Sequence, residues 1–316
     1  MKAVVYTKYG PPEVLKLVEV DKPTPKKNEV LIKIYATSVT ASDCIVRGFK
    51  LPRWSPIGIM MGLVIGFKKP RKSVLGMVLV GEIESTGKEV TLFKQGDQVF
   101  GWTVMSSSEI RLGCYAEYNC LPEKSIITQK PNNISYEEAA AIPYGGLMAL
   151  PYLKKGNIKS GHKVLIYGAS GAIGTAAVQL AKNFGAKVTG VCSTKNIEMV
   201  KSLGADAVID YTKEDVLDNK ENFDFILDAV GKAKKSTFKS QCKKLLSAKG
   251  KYISVDDGSP KTSIEDLNLL KKLVEEGNLK PVIDRTYTLE QMAEAHAYVD
   301  KGHKKGNVII SVMRNH

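Results

Sequence analysis

Three evenly spaced glycines could hold the phosphates of a nucleotide. They are Gly168, Gly171 and Gly174, with Ser170 between the first two, and they follow the apolar run Val164–Tyr167. Binding a pyrophosphate requires a tight turn between a strand and a helix, with backbone N–H groups that the phosphates can approach closely. An amphipathic helical pattern follows the glycines, as packing on a sheet requires. The pattern predicts a dinucleotide site; a glycine-rich turn without a ligand is the alternative.

The end of the next predicted strand bears on which nucleotide binds. NAD sites usually carry Asp or Glu there, and this acid holds the ribose 2′-hydroxyl. Residues 187–197 contain no acid, and the strand is followed instead by Ser193, Thr194, Lys195 and Asn196. Hydroxyls and a lysine accept a 2′-phosphate, which a carboxylate would repel. These residues favour NADPH over NADH, although they could also simply cap the following helix.

The cysteines and histidines indicate neither a disulfide framework nor a metal centre. They are Cys44, Cys114, Cys120, Cys192, Cys242, His162, His296, His303 and His316. An odd number of scattered cysteines is typical of a reducing compartment. The close pair Cys114 and Cys120 has no CxxC or HExxH motif beside it, so no zinc site is expected.

The formal net charge of +13 raises the question of a nucleic-acid partner. The lysines are spread along the chain, without a long basic run or a basic patch interleaved with aromatic residues. This distribution favours a generally basic surface, and no nucleic-acid partner is expected. A cationic cleft for an anionic small molecule is compatible with the same charge. The amino-terminal stretch MKAVVYTKYG does not resemble a secretory signal, and we expect a cytoplasmic protein.

The most apolar run, Ile57–Phe67, is too short to span a bilayer and is interrupted by glycines. No membrane span is therefore expected. The run is followed by Lys68, Lys69, Arg71 and Lys72. A lid over a substrate, a surface helix packed on a barrel and a membrane-surface segment are three interpretations that the sequence leaves open.

The chain changes its pattern after about residue 131. Before that point the predicted strands are Ala3–Tyr6, Val14–Val20, Val30–Ala36, Val78–Ser85 and Gln98–Trp102. After it the predicted helices are Ser135–Leu153, Ala172–Phe184, Asn196–Leu203, Ser236–Leu246, Ile264–Glu276 and Tyr287–Lys301. The strands predicted among them are Val164–Tyr167, Lys187–Cys192, Ala207–Asp210, Phe225–Asp228, Gly250–Val255 and Asn307–Val312. Short punctuated strands are typical of an antiparallel barrel, and the alternation that follows is typical of βαβ units.

Several segments that together span most of the chain carry a resemblance to a known family. They are Val74–Gly101, Tyr115–Tyr118, Ala139–Leu150, Gly168–Gly174, Ser202–Asp215 and Asp284–Val312. They resemble the zinc-free quinone oxidoreductase branch of the medium-chain dehydrogenase/reductase superfamily. The last segment is similar to the subgroup described as NADPH-dependent quinone reductases or zinc-independent alcohol dehydrogenase-like proteins.

The resemblance implies an α/β fold with a Rossmann doubly wound parallel sheet plus a GroES-like β-barrel catalytic domain. Residues 1–125 would form the GroES-like part, residues 126–275 the cofactor-binding domain, and residues 276–316 would return to the catalytic domain. The active site would lie in the cleft between the domains. A homodimer through the Rossmann sheets is also implied.

The resemblance also implies which residues hold the cofactor, NADPH. Around the pyrophosphate these would be Ser170, Gly171, Ala172 and Ile173. Around the 2′-phosphate they would be Ser193, Lys195, Asn196 and Tyr211. Beside the nicotinamide ribose they would be Val230, Gly231, Ser254 and Val255, and Lys304 and Asn307 would return to the cofactor.

Three positions separate this chain from the zinc-bearing members of the superfamily. Where those members carry a catalytic Cys, His and Glu, this chain has Thr40, Met77 and Val78. The zinc-free branch often has Asn at the Thr40 position and an acid at the Val78 position, so the chain departs from both groups.

The expected activity is zinc-independent, NADPH-dependent hydride transfer to a quinone or an α,β-unsaturated carbonyl. A conjugated acceptor needs only hydrogen-bond donors at its oxygen rather than a metal. The candidate donors are Thr40, Tyr144 and Tyr115, and each tyrosine could instead be packed with its hydroxyl satisfied internally. Asp43 is expected to have a structural hydrogen-bonding role. An NADPH-binding protein with a structural or nucleic-acid-binding role and little turnover is the alternative, which a turnover assay distinguishes.

Overall fold

A computed structural model describes residues 1–52, 54–104, 109–213, 222–231, 242–258 and 260–313. Its strands are β1 (Lys2–Val5), β2 (Lys16–Glu19), β3 (Glu29–Val39), β4 (Val78–Thr86), β5 (Gln98–Trp102), β6 (Tyr118–Pro122), β7 (Ile126–Gln129), β8 (Lys163–Tyr167), β9 (Lys187–Cys192), β10 (Ala207–Asp210), β11 (Phe223–Asp228), β12 (Leu246–Ser254), β13 (Ile283–Thr288) and β14 (Asn307–Ser311). Its helices are α1 (Ala41–Gly48), α2 (Pro56–Ile65), α3 (Tyr136–Ala140), α4 (Pro143–Gly156), α5 (Ala172–Asn183), α6 (Ile197–Ser202), α7 (Ile264–Glu275) and α8 (Met292–Asp300). No helix among these residues is long and apolar enough to cross a bilayer.

The chain divides into two compact units. The first unit comprises Met1–Pro143, Ser263–Lys272 and Ile283–His316, and the second comprises Tyr144–Thr262 and Leu273–Val282. The first stretch of the first unit thus runs to residue 143, beyond the expected boundary at 125, because β7 pairs with β5 of the same sheet. The return to the first unit, expected from residue 276, includes an earlier segment at 263–272.

The first unit is built on a seven-stranded sheet in the order β13-β14-β3-β4-β5-β7, with β6 also paired to β3. All of these pairs are antiparallel except β13 with β14. The central strand β3 is buried along almost its whole length. Its core cluster consists of Val30, Ile32, Ile34, Leu79, Ile83, Val99, Cys114, Leu121 and Ile127.

The second unit is built on a parallel sheet in the order β10-β9-β8-β11-β12. Chain order in a sheet of this kind reverses beside the first strand, β8, which is where doubly wound folds bind nucleotides. Apolar side chains of the strands and of α5 are buried, as the sequence pattern predicts. The prediction of a Rossmann-type parallel sheet is confirmed.

Two predicted helices differ from the structure for local reasons. The helix predicted over Ser135–Leu153 is two helices, because Pro143 lacks an N–H and stands in the first turn of α4. Ser135 does begin the first of them, in a capping box with Glu138. The helix predicted over Tyr287–Lys301 was wrong at its start, because Tyr287 and Thr288 belong to β13, which pairs with β14.

A third predicted helix, Ser236–Leu246, falls largely outside the described residues. Only its last residues are described: Cys242–Leu245 form a 3-10 turn and Leu246 begins β12. The strand predicted from Gly250 therefore starts earlier than expected.

Candidate functional site

Glycine occurs at the three positions after β8 for different structural reasons. Gly168 has φ of +81°, a conformation that favours glycine, and its N–H donates to Val191 O at 3.1 Å. A Cβ on Gly174 would overlap Gly168 O and lie 2.7 Å from Ala169 Cα, so Gly174 lets α5 approach the turn. A Cβ on Gly171 would meet only Gly168 O at 3.6 Å, which is ordinary contact. Among the residues that the structure describes, no contact and no backbone angle requires a glycine at Gly171.

Gly171 is also the N-cap of α5, and no side chain caps this helix. The first turn contains no acid, and its residues Ala172 and Ile173 are buried. Ser170, directly before the N-cap, is half-buried. A helix start without a side-chain cap can accept an anion, because the N–H groups of the first turn and the helix dipole both favour negative charge. The predicted pyrophosphate residues therefore share one place.

The residues predicted to surround a 2′-phosphate also come together, where β9 and β10 end side by side. Asn196 is buried and its Nδ2 donates to Ser193 Oγ at 3.2 Å, which fixes the turn after β9. Lys195 is exposed on this turn. Tyr211 follows β10, is about half exposed and donates its N–H to Cys192 O at 3.2 Å. A cation, a hydroxyl and a phenol thus stand at one edge of the sheet.

A carboxylate reaches this edge from the neighbouring strand, which the sequence reasoning missed. Thr194 Oγ1 donates to Asp210 Oδ2 at 2.5 Å, and the Thr212 hydroxyl donates to Asp210 Oδ1 at 2.6 Å. These two hydroxyls hold the pKa of Asp210 below its usual value. Residues 187–197 contain no acid, but Asp210 at the end of β10 takes a place beside them. The signal was available, since parallel strands end at the same edge.

Asp228, the last residue of β11, organises the adjoining turns. Its Oδ1 accepts the N–H groups of Val230 and Gly231, both at 3.0 Å, and its Oδ2 accepts the Tyr252 hydroxyl at 2.8 Å. Val230 in turn borders the glycine turn, because a Cβ on Gly168 would lie 2.6 Å from Val230 Cγ2. The sequence reasoning placed Asp228 only in a strand and missed this positioning role.

Two residues predicted to contact the cofactor, Ser254 and Val255 at the end of β12, differ in their burial. Ser254 is completely buried: its Oγ lies 3.5 Å from Asp228 Oδ2 and accepts the Asp256 N–H at 3.3 Å. Its side chain therefore supports the turn from within. Val255 is half-buried, and its N–H donates to Asp228 O at 3.0 Å. The glycine turn and Val230 are in contact at one end of the sheet. Ser254 and Val255 lie at the same end, where both contact Asp228.

In the first unit, Thr40 forms the capping box that begins α1. Its Oγ1 donates to Asp43 Oδ2 at 2.6 Å and accepts the Asp43 N–H at 3.1 Å. Both residues are buried, and burial raises the pKa of Asp43 to about 6 although the bonds from Thr40 act in the opposite direction. The one proton that Thr40 can donate is thus already used in this arrangement. Its predicted role as a donor to a substrate stays a prediction.

Tyr115 lies in a buried polar chain that the sequence did not indicate. Its hydroxyl is 3.2 Å from His296 Nε2, and His296 Nδ1 is 3.0 Å from an Arg47 guanidinium nitrogen. Arg47 is fully buried and donates to Gly10 O at 3.1 Å and to Asp300 Oδ2 at 2.6 Å. Burial, and then the positive charge of Arg47, lower the pKa of His296 to about 3, so this imidazole is neutral. The Tyr115 hydroxyl therefore has an internal partner, as in the packed alternative.

The remaining predicted residues are distributed over both units. Tyr144 is buried in α4 of the second unit. Lys304 of the first unit donates to Gly306 O at 2.6 Å, and desolvation lowers its pKa to about 8. Asn307 begins β14 and is buried. Their predicted roles stay predictions.

The positions at which zinc-bearing relatives hold their metal carry side chains unsuited to it. Met77 and Val78 are buried apolar residues at the start of β4, and the Thr40 hydroxyl is bonded to Asp43. Throughout the part of the chain that the structure describes, no three His, Cys, Asp or Glu residues converge as metal ligands would.

Comparison with known proteins shows the family. Residues 26–132 match the alcohol dehydrogenase GroES-like domain, and residues 172–296 match the zinc-binding dehydrogenase family. The 2-methylene-furan-3-one reductase of Solanum lycopersicum is 33% identical over 98% of this chain and 79% of that protein. An NADPH-dependent alkenal/one oxidoreductase of Arabidopsis thaliana is 31% identical over the same shares. The quinone oxidoreductase of Coxiella burnetii, a solved structure, is 30% identical, covers 99% of both chains and has a TM-score of 0.82.

The chain belongs to the quinone oxidoreductase branch of the medium-chain dehydrogenase/reductase superfamily. The predicted α/β fold, a GroES-like domain together with a Rossmann sheet, is confirmed. As a member of this superfamily it is an oxidoreductase that uses a nicotinamide cofactor, as its relatives do. The glycine turn, the uncapped start of α5 and the edge formed by β9 and β10 are the places in this chain that fit such a cofactor.

Proposed function

We propose that this protein reduces quinones or α,β-unsaturated carbonyls with NADPH and without zinc. The observation that carries the proposal is Gly171, the N-cap of a helix without a side-chain cap, where among the described residues a Cβ would make only one ordinary contact. The substrate class is supported by the relatives, which are named for reducing a methylene-furanone, alkenals and enones, and quinones.

The positions of the residues support the proposed cofactor contacts. Ser170, Gly171, Ala172 and Ile173 would hold the pyrophosphate at the start of α5, where N–H groups and the helix dipole favour an anion. Lys195, with Ser193, Asn196 and Tyr211, would hold the 2′-phosphate. Bound NADPH supplies the hydride for the electron-poor β carbon of the acceptor.

The preference for NADPH depends on a balance of charges at the edge where β9 and β10 end. Asp210 would repel a 2′-phosphate, but hydrogen bonds from Thr194 and Thr212 use its oxygens. Lys195 is exposed and provides the opposite charge. Because charge-assisted bonds to phosphate contribute about 1.5–3 kcal/mol each, the lysine is expected to outweigh the acid.

Zinc independence is proposed from the side chains at the metal positions. Two of the three are apolar and buried, and the third is a threonine that caps α1. A conjugated acceptor forms an enolate that hydrogen-bond donors stabilise, and solvent or a hydroxyl can then deliver the proton. Thr40, Tyr115 and Tyr144 stay the candidate donors. The Thr40 and Tyr115 hydroxyls have internal hydrogen-bond partners, which they would exchange for the substrate.

Turnover is the direct test of this function. Purified protein with NADPH and a panel of quinones, enones and saturated ketones should oxidise NADPH with the conjugated acceptors only. The rate should persist after exhaustive treatment with a chelator. A protein that binds NADPH but turns over nothing in the panel would refute the proposal and favour a binding role. Activity that is lost with the chelator and restored by zinc would refute zinc independence.

The 2′-phosphate assignment has its own test with a matched control. Lys195→Glu should raise KM for NADPH about 10- to 100-fold and change KM for NADH less than about threefold. Lys187→Glu makes the same charge change at the exposed opposite end of β9 and should leave both values unchanged. Asp210→Asn should lower KM for NADPH. Equal effects of Lys195→Glu on the two cofactors would refute the assignment.

The homodimer and the cytoplasmic location stay predictions. The oligomeric state can be measured by light scattering on the eluted protein, with a monomer as the result that would contradict the prediction. Fractionation of the source cells would test the location.

A further inference from the structure

The helix α2 carries apolar side chains on both of its faces. On one side Met61 and Ile65 are buried, and the Tyr9 hydroxyl donates to Ile65 O at 2.9 Å, which fixes the end of the helix. On the other side Ile59, Met60 and Leu63 are exposed. A helix that is apolar all round is normally enclosed on all sides, yet here one face is open.

The exposed apolar surface extends beyond the helix in both directions. Trp54, just before α2, is 83% exposed, and Phe67, just after it, is partly exposed and packs its ring over Gly62. Leu63 is 58% exposed at the centre of the helix. Large exposed aromatic and aliphatic side chains gathered in one segment mark an interaction surface.

Basic side chains border this surface. Lys68, Lys69, Arg71 and Lys72 follow the helix directly, and all four are exposed. The sequence contains no acid between Asp43 and Glu82, so the charges within this segment are all positive. The Arg71 guanidinium donates to Leu63 O, which holds the basic segment against the helix.

We propose that this surface, Trp54–Lys72, docks on an anionic phospholipid bilayer. Trp54, Ile59, Met60 and Leu63 would enter the boundary between headgroups and acyl chains, and the four cations would contact lipid phosphates and carboxylates. Apolar residues flanked by Lys and Arg are the combination that holds segments in this interface. Each basic residue near such a surface strengthens binding about fivefold. The inference does not depend on the proposed reaction, because it can be measured without turnover.

An acidic protein partner would match the cations but would leave the aromatic and aliphatic face without a use. A second copy of this chain is opposed by the like charge of the four cations on both copies. A bilayer containing acidic lipids matches both parts of the surface at once.

The two tryptophans provide a direct readout on the full chain. Trp54 is exposed, whereas Trp102 is only 4% exposed. Vesicles of phosphatidylcholine with phosphatidylserine should shift the emission to shorter wavelength, and the Trp54→Phe variant should lose the shift. Vesicle flotation at increasing lipid concentration gives the affinity. Raising the salt to about 1 M shortens the Debye length to about 3 Å and should release the protein.

Variants with matched controls separate the two contributions. The pair K68Q and K69Q should weaken flotation about 30-fold, whereas K88Q and K94Q remove the same charge elsewhere and should change it less than twofold. L63S should weaken it about fivefold, whereas L92S, at a leucine that is 62% exposed, should not. Thermal melting confirms that each variant is folded.

Three results would overturn the proposal. One is the absence of flotation with acidic vesicles. Another is equal binding to pure phosphatidylcholine with no effect of K68Q and K69Q, which would indicate unspecific adsorption. The third is a concentration-dependent dimer that L63S abolishes, with no vesicle binding, which would make this face a contact between copies.

Discussion

Replacing Gly171 by alanine should weaken cofactor binding without destabilising the protein. Gly171 has φ of −80° and ψ of 175°, which alanine adopts without strain, and the new Cβ would make only one ordinary contact. The loss of glycine freedom in the unfolded chain stabilises by about 0.4–1 kcal/mol. Alanine is a poorer N-cap than glycine by a similar amount. The free energy of unfolding should therefore change by less than about 0.5 kcal/mol.

The same methyl group would lie at the N-cap of α5, beside the N–H groups of the first turn that a phosphate would approach. A phosphate held there would lose at least one charge-assisted hydrogen bond, which is worth about 1.5–3 kcal/mol. The expected rise in Kd for NADPH is about 10- to 100-fold. Titration calorimetry measures the Kd, and urea unfolding of the same preparation measures the stability.

Gly174→Ala is the matched control, because it should have the opposite profile. Its Cβ would overlap Gly168 O and press on Ala169, so α5 must move away from the turn. Such overpacking costs about 1–3 kcal/mol of stability. An unchanged Kd in a folded Gly171→Ala protein would refute the reasoning, since it would show that no phosphate approaches this helix start.

Three further predictions concern buried groups. In the unfolded chain His296 would bind a proton below about pH 6.5, whereas in the folded protein it stays neutral to about pH 3, so its contribution makes stability fall as the pH drops. The carboxyl of Asp43 has the opposite effect between pH 6 and 4, because its pKa in the folded protein is raised to about 6. Asp43→Asn removes this opposing contribution, so the free energy of unfolding should fall more steeply from pH 6 to pH 4 in the variant, by up to about 1.4 kcal/mol per pH unit. Urea unfolding measures both slopes, and equal slopes in the two proteins would contradict the prediction. Cys44 is buried, and burial raises the pKa of its thiol well above the usual value. A thiol reagent should therefore label the partly exposed Cys120 before Cys44 in the folded protein. Mass spectrometry of the labelled peptides shows the order of labelling. Asp228→Asn should weaken NADPH binding more than tenfold with a smaller effect on kcat, because the Asp228 oxygens position two turns. Initial-rate kinetics measures both parameters, and a fall in kcat alone would contradict the prediction.

The parts of the fold that follow local patterns could be predicted from the sequence. The strand β9 and the start of α5 were placed correctly, because an apolar run, glycines and a helical period all lie within a few residues of one another. The Ser135 cap with Glu138 was likewise visible in four consecutive residues. Each of these elements is determined by neighbours in sequence.

Features that join distant segments could not be predicted in this way. Arg47 and His296 are 249 positions apart, and neither has a neighbour that indicates a partner. The contact of Thr194 with Asp210 depends on which strands are adjacent, and the sequence reasoning examined only the strand that ends at Cys192. The last two residues of β13, Tyr287 and Thr288, were predicted as helix because their pairing with β14 decides their conformation.

Between these two classes lies the glycine turn, where sequence and structure have to be combined. The sequence shows three equivalent glycines, and the structure separates them by cause: Gly168 by its backbone angle, Gly174 by close packing, and Gly171 by neither. A glycine that is required by the fold carries no information about a ligand. A glycine that neither backbone angle nor packing explains, at a helix start without a side-chain cap, indicates that something outside the chain requires the absence of a side chain. This difference is why Gly171, rather than the motif as a whole, supports the proposed cofactor site.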